Sequence, residues 1–372
     1  MSYIITGYDH YGRGITKDNN KIIFVDNALI GEEVEINIYN NKKNYCEASV
    51  TNYIKKSPNR CESICKYYDK CGGCNILHMN YDEQLIFKQQ KMENIISKYL
   101  NSNIKINKIV KSDYQFNYRN KATFHYKNNI IGFYDKKSNN IIEINECKLL
   151  DNTINKDLSL LDKNHLIIRT NGKKILKDVN EKLECKIGNY KYNLSLNSFF
   201  QINSNVTEKM YNKIKEYANS LKEDVIYDLY CGVGTIGIYL ANDAKKVYGI
   251  EINEQAILDA KENMLLNNIT NIEFKAGSVD KIINSIKEKP NIIIVDPPRA
   301  GLDKTTIETI LKLEPNKIVY TSCDPMTFAR DLKILNSKYN IKEITPFDMF
   351  PNTYHVENVC LLERKVKWKK LL

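Results

Sequence analysis

The chain has 372 residues, of which 42% are hydrophobic and 27% are charged. This content of apolar residues excludes an intrinsically disordered chain and suffices for two or three domains of ~100–200 residues each. The net charge is +10 at pH 7 and the isoelectric point is near 8.9, which favours a polyanionic partner such as nucleic acid. A generic lysine-rich surface would give the same charge, so charge alone does not decide the partner.

The sequence shows neither a membrane segment nor a secretion signal. It has no run of ~18 apolar residues, and the start MSYIITGYDHYGRG lacks the basic and apolar stretches of a signal peptide. We therefore expect a cytoplasmic monomer with no membrane association and no obligate protein partner. In a reducing compartment, ten cysteines indicate metal binding or catalysis rather than a disulfide framework.

Residues 1–58 carry glycine-containing turns and short runs of alternating polarity. The clearest run is EEVEINIYN, where Val34, Ile36 and Ile38 alternate with polar residues. Alternation with a period of two is typical of strands that have one buried face. We predict a small β-barrel here.

Residues 59–190 form a predicted mixed middle domain that begins with a cysteine cluster. The stretch CKYYDKCGGC contains Cys65, Cys71 and Cys74, a spacing that does not pair two knuckles as zinc ribbons do. A fourth thiolate must therefore come from elsewhere, and four thiolates permit either zinc or a 4Fe-4S cluster. Cys61 is a further candidate, although a chance neighbour is the simpler reading.

The same segment continues with a predicted helix, YDEQLIFKQQKMENIISKYL, and strand-like pieces such as NNIIEINE. Between them, YRNKATFHY brings together Tyr118, Arg119, Lys121 and His125. Basic and aromatic side chains in this combination suit contacts with RNA phosphates and bases. An ordinary half-exposed strand explains the pattern equally well.

From about residue 191 to residue 372, strands and helices alternate. The strand-like pieces are VIYDLY, KVYGIE, NIEFKAG, NIIIVDPP and KIVYTSC, with helical segments such as EQAILDAKENMLLNN between them. This order predicts a doubly wound α/β domain with a parallel sheet.

The first chemical signal in this domain is YDLYCGVGTIGIYLA. A strand runs into Gly232 and Gly234 and then into a helix, and Glu251 ends the next strand. Glycines let a ligand approach the backbone, and an acid at that distance accepts hydrogen bonds from ribose hydroxyls. The loop lacks a third glycine at dinucleotide spacing, so it suits a nucleoside ligand such as S-adenosylmethionine. A glycine turn alone would be consistent with a purely structural loop.

Two further motifs place polar residues at strand ends. Asp296 follows the strand of IIIVDPPRAGLD, and Cys323 follows the strand of IVYTSCDP. Ligands of open α/β sheets bind at the carboxyl ends of the strands, so both should face the crevice of Gly232 and Glu251. The helix after Cys323 favours the nucleophilic thiolate. Alternatively, Cys323 has a purely structural role as a small, buried apolar side chain.

Taken in order, DLYCGVGTIG, IIIVDPPRAGL, YTSCDP and HVENV resemble the RNA uracil-5 methyltransferase family. FFQIN at 199–203, CGGC at 71–74 and the N-terminal GRGITK and FVDNALIGEEVE extend the resemblance over almost the whole chain. It implies a class I methyltransferase, Rossmann-like doubly wound sheet at 191–372. An OB-like barrel of the TRAM type would precede it at 1–58, with a small mixed α+β iron–sulfur domain at 59–190.

The resemblance also implies a mechanism. Cys323 matches the nucleophile that adds to carbon 6 of uracil, after which carbon 5 attacks the methyl group of S-adenosylmethionine. Glu357, in YHVENV, matches the base that removes the hydrogen from carbon 5. A solvated loop carboxylate would be its alternative. The predicted cofactor contacts are Gln201, Tyr230, Gly232, Gly234, Thr235, Glu251, Ser278 and Asp296. Two depart from the family pattern, since many relatives have asparagine at Thr235 and an acid at Ser278.

For the cysteine cluster, the resemblance implies Cys147, in INECKLL, as the fourth ligand and favours 4Fe-4S over zinc. Methylation of uracil is redox-neutral, so the cluster would hold the middle domain together and shape the RNA-binding surface. The implied substrate is a uridine flipped out of an RNA, which we predict to be 23S ribosomal RNA. The stretch between Cys147 and FFQIN is short beside typical relatives, which weakens that choice of RNA.

Three alternatives remain open from the sequence. The substrate could be uridine 54 of transfer RNA. The DPP motif also occurs in methyltransferases that act on exocyclic amines, although those usually have an aromatic residue where this chain has Arg299. A non-catalytic iron–sulfur RNA-binding protein is the third alternative, and the presence of both Cys323 and Glu357 argues against it.

Overall fold

The computed structural model describes residues 1–100 and 103–365. This part of the chain forms two compact units. The first combines Met1–Lys91, Phe124–Lys148 and Phe350–Tyr354, and the second combines Met92–Thr123, Leu149–Met349 and the residues from His355 onward. Each unit draws on separate stretches of the chain, and the division at 1–58, 59–190 and 191–372 stays a prediction.

The elements of the described residues are as follows. The strands are β1 Ser2–Ile4, β2 Gly7–Tyr8, β3 Gly14–Asp18, β4 Lys21–Asp26, β5 Glu33–Asn41, β6 Tyr45–Lys55, β7 Lys105–Ile106, β8 Lys121–Thr123, β9 His125–Lys127, β10 Ile130–Tyr134, β11 Ile141–Glu143, β12 Ile167–Thr170, β13 Ile175–Leu176, β14 Lys182–Ile187, β15 Tyr190–Ser195, β16 Val225–Leu229, β17 Lys246–Glu251, β18 Ile272–Ala276, β19 Ile292–Val295, β20 Lys317–Ser322, β21 Tyr339–Phe347 and β22 Glu357–Arg364. The helices are α1 Tyr81–Leu100, α2 Asn152–Asp157, α3 Ser204–Ala218, α4 Thr235–Leu240, α5 Glu254–Leu266, α6 Val279–Ile282, α7 Lys304–Leu313 and α8 Pro325–Leu335. Short 3-10 turns lie at Leu158–Leu160, Ala241–Asp243 and Ile283–Ser285.

The first unit begins with a six-stranded sheet in the order β1-β5-β6-β4-β3-β2. All neighbours are antiparallel except β4 and β6. The two edge strands are separated in the chain by only Ile5 and Thr6, and the core between the strands contains Val25, Val34 and Ala48. These features suit the predicted OB-like barrel, which stays a prediction.

The predicted alternation along β5 is only partly correct. Val34 is fully buried and Ile36 is half-buried, whereas Ile38 is 42% exposed. The pairing of β5 with β6 shifts register three times, including once between Ile38 and Asn40. Such bulges turn successive side chains away from strict alternation, so a period of two fails towards the end of this strand.

The rest of the first unit is built mostly from turns. A three-stranded antiparallel sheet, β11-β10-β9, lies beside the loops that carry the cysteines. An isolated antiparallel backbone bridge pairs Cys71 with Asp135, the residue that follows β10. A second small core supports these loops and consists of Leu29, Ile76, Met79 and Phe87.

The second unit is dominated by an eight-stranded sheet in the order β18-β17-β16-β19-β20-β22-β21-β7. The strands from β18 to β20 are parallel, and β22 is antiparallel to both of its neighbours. Every residue of β16 and β19 is buried, as expected for strands covered by helices on both faces. The predicted α/β class with a parallel-rich sheet is confirmed. Two small antiparallel sheets, β13-β12-β8 and β14-β15, complete this unit.

The helices of the second unit follow their apolar periodicity. In α3, Val206, Met210 and Ile214 recur every four residues and are all buried. The helix begins where the Asn203 side chain accepts a hydrogen bond from the Val206 amide. Among the residues described, no helix combines the length and the apolar character that crossing a bilayer requires.

Candidate functional site

The residues predicted to act on a ligand lie at one edge of the eight-stranded sheet. Glu251 is the last residue of β17, while Tyr230, Asp296 and Cys323 directly follow β16, β19 and β20. Parallel strands that are paired in register end at the same edge, so these four positions are neighbours there.

Glu357 reaches this edge by a different route. It is the first residue of β22, which runs antiparallel to β20, and Ser322 is paired with Asn358. One position further along this pair of strands are Cys323 and Glu357. The Asn358 side-chain amide donates a hydrogen bond to the Ser322 carbonyl at 3.3 Å. The antiparallel register therefore brings the predicted nucleophile and the predicted base to the same end of two paired strands.

Burial controls the acidity of both groups. Glu357 is only 5% exposed, and burial, followed by the charge of Asp296, raises its pKa to about 8. Cys323 is half-buried, and burial, followed by the charge of Glu357, raises its pKa to about 12. Burial therefore disfavours the charged form of both groups.

The raised pKa of Cys323 is the opposite of what the sequence predicted, which was that the following helix favours the thiolate. That helix, α8, begins at Pro325 and is capped by the Asp324 side chain, which accepts hydrogen bonds from Met326 and Thr327 at 3.0 Å. A carboxylate already occupies the N–H groups that would have stabilised the thiolate. The helix N-terminus therefore does not lower the pKa of Cys323.

Arg299 is a functional candidate to which no sequence motif assigned a catalytic role. Its guanidinium lowers the pKa values of both Cys323 and Glu357. One terminal nitrogen lies 3.4 Å from Nε2 of His355. Its backbone is fixed by Thr327, whose hydroxyl donates to the Arg299 carbonyl at 3.0 Å. The signal in the sequence is that Arg299 and His355 each lie within a motif already singled out.

The glycine loop after β16 has a left-handed backbone at three positions. Tyr230, Gly232 and Gly234 all have positive φ, at 63°, 52° and 80°. A Cβ atom at Gly234 would lie 2.6 Å from the Phe274 ring, whereas a Cβ atom at Gly232 would meet nothing within 4 Å. Gly234 is thus required for packing, and Gly232 faces open space. The Gly232 amide donates to Glu251 at 3.2 Å, which fixes that carboxylate beside the loop.

A cleft of about 570 Å³ lies beside this loop. Its walls include Gly232 and Glu251, together with Ser198, Phe199 and Asn253. The volume falls in the range of small-molecule sites, ~300–1,000 Å³. Phe199 is 68% exposed, and FFQIN was the signal by which the sequence could have identified it.

The other six predicted contacts lie outside the walls of this cleft. Gln201 is buried, and its carbonyl accepts a hydrogen bond from the Asn120 side chain at 3.1 Å. The Thr235 hydroxyl lies 2.7 Å from the Tyr211 hydroxyl. Ser278 precedes α6, and its side chain makes no capping bond. Tyr230, Asp296 and Gly234 complete the set at the strand ends and the loop.

Asp228 is a second residue that the sequence analysis missed. It lies in the middle of β16, is fully buried, and has a pKa raised to about 7 by burial. One of its oxygens accepts a hydrogen bond from the Gly237 amide at 2.8 Å, which ties the strand to α4. The sequence signal that could have identified Asp228 is an acidic residue within the otherwise apolar strand VIYDL.

The four cysteines of the predicted cluster all belong to the first unit and are all half-buried. Burial raises the pKa of Cys74, and the charges of Cys147, Cys71 and Cys65 raise it further, so the four thiols interact through space. Cys61 instead donates to the Leu77 carbonyl at 3.4 Å. Within residues 1–100 and 103–365, however, no three histidine, cysteine, aspartate or glutamate side chains are arranged to hold a metal ion.

The predicted RNA contacts around YRNKATFHY are only partly exposed. Tyr118 is 7% exposed, so its ring cannot stack on a base. Lys121 donates to the Ser198 carbonyl at 3.4 Å, and burial lowers its pKa to about 8. In the first unit, His125 stacks on Tyr134 with ring centroids 4.0 Å apart.

A scan against protein families matches residues 36–365 to the family described as tRNA (Uracil-5-)-methyltransferase. Similar proteins include an uncharacterized RNA methyltransferase of Clostridium tetani, 36% identical over 436 aligned positions that cover 96% of this chain and 95% of that protein. Another, from Staphylococcus aureus, is 35% identical and covers 96% of both chains. Because 436 aligned positions exceed the 372 residues of this chain, the clostridial relative has segments with no counterpart here.

The described fold is also similar to a solved structure. The Pyrococcus abyssi tRNA (uracil-54, C5)-methyltransferase, crystallised in complex with S-adenosyl-L-homocysteine, aligns with a TM-score of 0.79 and 28% identity. The alignment covers 97% of this chain and 99% of that structure. The likeness confirms the class I methyltransferase fold for this chain.

Proposed function

This chain belongs to the tRNA (uracil-5-)-methyltransferase family, and on that premise we propose that it methylates carbon 5 of a uridine in RNA through a covalent adduct with Cys323. The observation that carries the proposal is the pairing of β20 with β22, which brings Cys323 and Glu357 together at the ligand edge of the sheet. An enzyme acting on an exocyclic amine has no use for that pair.

In the proposed reaction, the Cys323 thiol releases its proton to solvent, and the thiolate sulfur bonds to carbon 6 of the flipped uracil. The electrons of the ring double bond move to carbon 5, which bonds to the methyl group of S-adenosylmethionine. The bond between that methyl group and sulfur breaks, and S-adenosylhomocysteine leaves. Glu357, as a carboxylate, then removes the hydrogen from carbon 5. The double bond re-forms and the bond between carbon 6 and sulfur breaks, which returns Cys323 as a thiolate.

The electrostatics of the edge suit these steps. A carboxyl group with a pKa of about 8 is a far stronger base than an exposed glutamate, which suits proton removal near neutral pH. The positive charge of Arg299 opposes the burial that raises the pKa of Cys323. Arg299 is therefore placed to stabilise negative charge on the sulfur as it forms and leaves.

The cleft at the glycine loop fits a nucleoside with a charged tail. The Glu251 carboxylate lies at its wall, where it can accept hydrogen bonds from ribose hydroxyls. Gly232 leaves open space for close approach of the ligand. We assign Gln201, Tyr230, Gly234, Thr235, Ser278 and Asp296 as further contacts of S-adenosylmethionine, as the resemblance implies.

For the first unit, we propose that Cys65, Cys71, Cys74 and Cys147 hold a 4Fe-4S cluster. Four soft thiol donors that already interact electrostatically are the donor set such a cluster requires. No step of methyl transfer involves it. Its proposed role is to hold together loops that contain little regular secondary structure.

The RNA substrate is proposed to be 23S ribosomal RNA, bound by a monomer. A specific observation favours a second candidate, uridine 54 of transfer RNA, because that is the substrate named for the archaeal neighbour. The neighbour aligns with 97% of this chain, so the predicted barrel does not distinguish the two substrates.

The proposal is tested by assaying RNA for 5-methyluridine with mass spectrometry after incubation with S-adenosylmethionine. We expect Cys323→Ala to reduce methyl transfer by at least about three orders of magnitude while binding S-adenosylhomocysteine as the wild type does. Cys360→Ala, which removes a thiol buried within β22, is the matched control and should keep its turnover. Retained turnover in Cys323→Ala would contradict the covalent mechanism.

A further inference from the structure

The first unit contains a groove that the proposed reaction does not use. It has a volume of about 550 Å³ and is walled by the six-stranded sheet, the cysteine loops and the connection between β10 and β11. Four tyrosines line it: Tyr11, Tyr39, Tyr53 and Tyr354. We call it the tyrosine groove.

Two of the four rings are accessible and held in place, and one face of the Tyr39 ring is covered by the Lys137 ammonium, 4.2 Å from the ring centroid. Tyr11 is 56% exposed and Tyr39 is 45% exposed. The Tyr39 hydroxyl donates to Asp26 at 3.0 Å, and Tyr11 meets Tyr354 edge to face with ring centroids 5.2 Å apart. Lys91 donates to the Tyr354 carbonyl at 3.0 Å. Rings fixed in this way lose little conformational freedom when a planar ligand stacks on them.

The charges of the groove are balanced. Its walls contain three cations, Arg13, Lys136 and Lys137, and three acids, Asp26, Glu47 and Asp69. The Arg13 guanidinium contacts Glu47 at 2.7 Å, and Lys137 contacts Asp26 at 3.1 Å. A phosphate site requires an excess of positive charge, which this groove lacks. A neutral ring with hydrogen-bonding groups at its edges is the better match.

We propose that the tyrosine groove holds an unpaired nucleobase of the RNA substrate, stacked on the exposed tyrosine rings. The inference rests on the proposed function and adds a subsite for a base other than the one that is methylated. Every nucleobase has a face that stacks on an aromatic ring, whereas only groups at the base edge distinguish sequence.

The test is fluorescence anisotropy with a fluorescein-labelled single-stranded RNA of ~12 nucleotides, with S-adenosylhomocysteine at saturation. We expect Tyr11→Ala and Tyr39→Ala each to weaken binding about fivefold or more, the loss that follows when one base stack is removed. Tyr39→Phe keeps the ring and loses only the hydrogen bond to Asp26, so it should bind more tightly than Tyr39→Ala. Tyr114→Ala is the control, because Tyr114 is a tyrosine that is 63% exposed and lies outside the groove.

Two further measurements show whether a base or a phosphate occupies the tyrosine groove. An abasic oligomer of the same length should bind wild type and Tyr39→Ala equally, because it has no base to stack. The slope of log Kd against log salt should be the same in the wild type and in Lys137→Ala, since Lys137 pairs with Asp26 and contacts no phosphate. A shallower slope in Lys137→Ala would show a phosphate site and overturn the proposal.

Failure of this inference is separable from failure of the proposed function. If the wild type makes 5-methyluridine but both alanine variants bind the labelled RNA as tightly as it does, only the groove proposal is contradicted. If the wild type transfers no methyl group to any RNA, the proposed function is contradicted, whatever the groove binds.

Discussion

The two units of this protein position their candidate functional residues by different physical means. In the second unit, Glu251, Asp296 and Cys323 lie at the ends of buried parallel strands, where the sheet itself fixes their places. In the first unit, the cysteines lie in turns held by isolated backbone hydrogen bonds, such as that from the Cys71 amide to the Tyr67 carbonyl at 2.7 Å. A large buried sheet fixes the first set, whereas the second set lies in loops over a small core, where we propose that a cluster adds a crosslink.

The largest expected effect comes from removing that crosslink. Protein purified without oxygen should be brown and carry about four irons per chain, and Cys74→Ser should lose the iron and loosen the first unit. Hydrogen exchange should then accelerate in the first unit, while S-adenosylhomocysteine binding in the second stays unchanged.

The control for this experiment is Cys61→Ser, because the Cys61 thiol donates a hydrogen bond to the Leu77 carbonyl. It should retain the iron. Stoichiometric zinc without iron in the wild type would contradict the 4Fe-4S proposal and leave the contrast between the units standing.

In the second unit, the acidity of Glu357 should appear in the pH profile. Its carboxylate removes the hydrogen from carbon 5 after methyl transfer, and burial raises its pKa to about 8. Where this step limits turnover, kcat should rise about tenfold per pH unit from pH ~6 towards ~8. A rate independent of pH over this range would show that Glu357 is not the base.

A smaller effect tests the glycine loop. Gly234→Ala should reduce the free energy of unfolding by ~2–4 kcal/mol, because it combines positive φ with a clash against Phe274. Gly232→Ala shares the strained φ without the clash and should cost only ~1 kcal/mol. Denaturant unfolding of the two variants measures the difference, and equal losses would contradict the packing role of Gly234.

The candidate site could be predicted from the sequence where its residues directly follow buried strands of the eight-stranded sheet. Asp296 ends a continuous apolar run, and Cys323 ends a run rich in β-branched and aromatic residues. Such runs form parallel strands whose ends meet. The place of Glu357 depends on β22 running antiparallel to β20, and no spacing in the sequence encodes that direction. Only the resemblance of YHVENV to the family indicated it.

Other features depend on burial, which a sequence pattern does not measure. The helix after Cys323 suggested a thiolate, but burial and the Asp324 cap reverse that effect. Tyr118 looked suited to stacking and is buried instead. Along β5, bulges in the pairing with β6 left Ile38 exposed where alternation placed it inside.

The proposed methylation depends most directly on a covalent link between Cys323 and the substrate. In Glu357→Gln, Cys323 should still add to the uracil and the methyl group should still transfer, but elimination should be slow. The variant should therefore accumulate a protein–RNA adduct that survives denaturing electrophoresis, and Cys323→Ala combined with Glu357→Gln should form none. Sequencing the trapped RNA would identify it as 23S ribosomal RNA, as proposed, or as transfer RNA. Normal turnover in Glu357→Gln with no adduct would contradict the account.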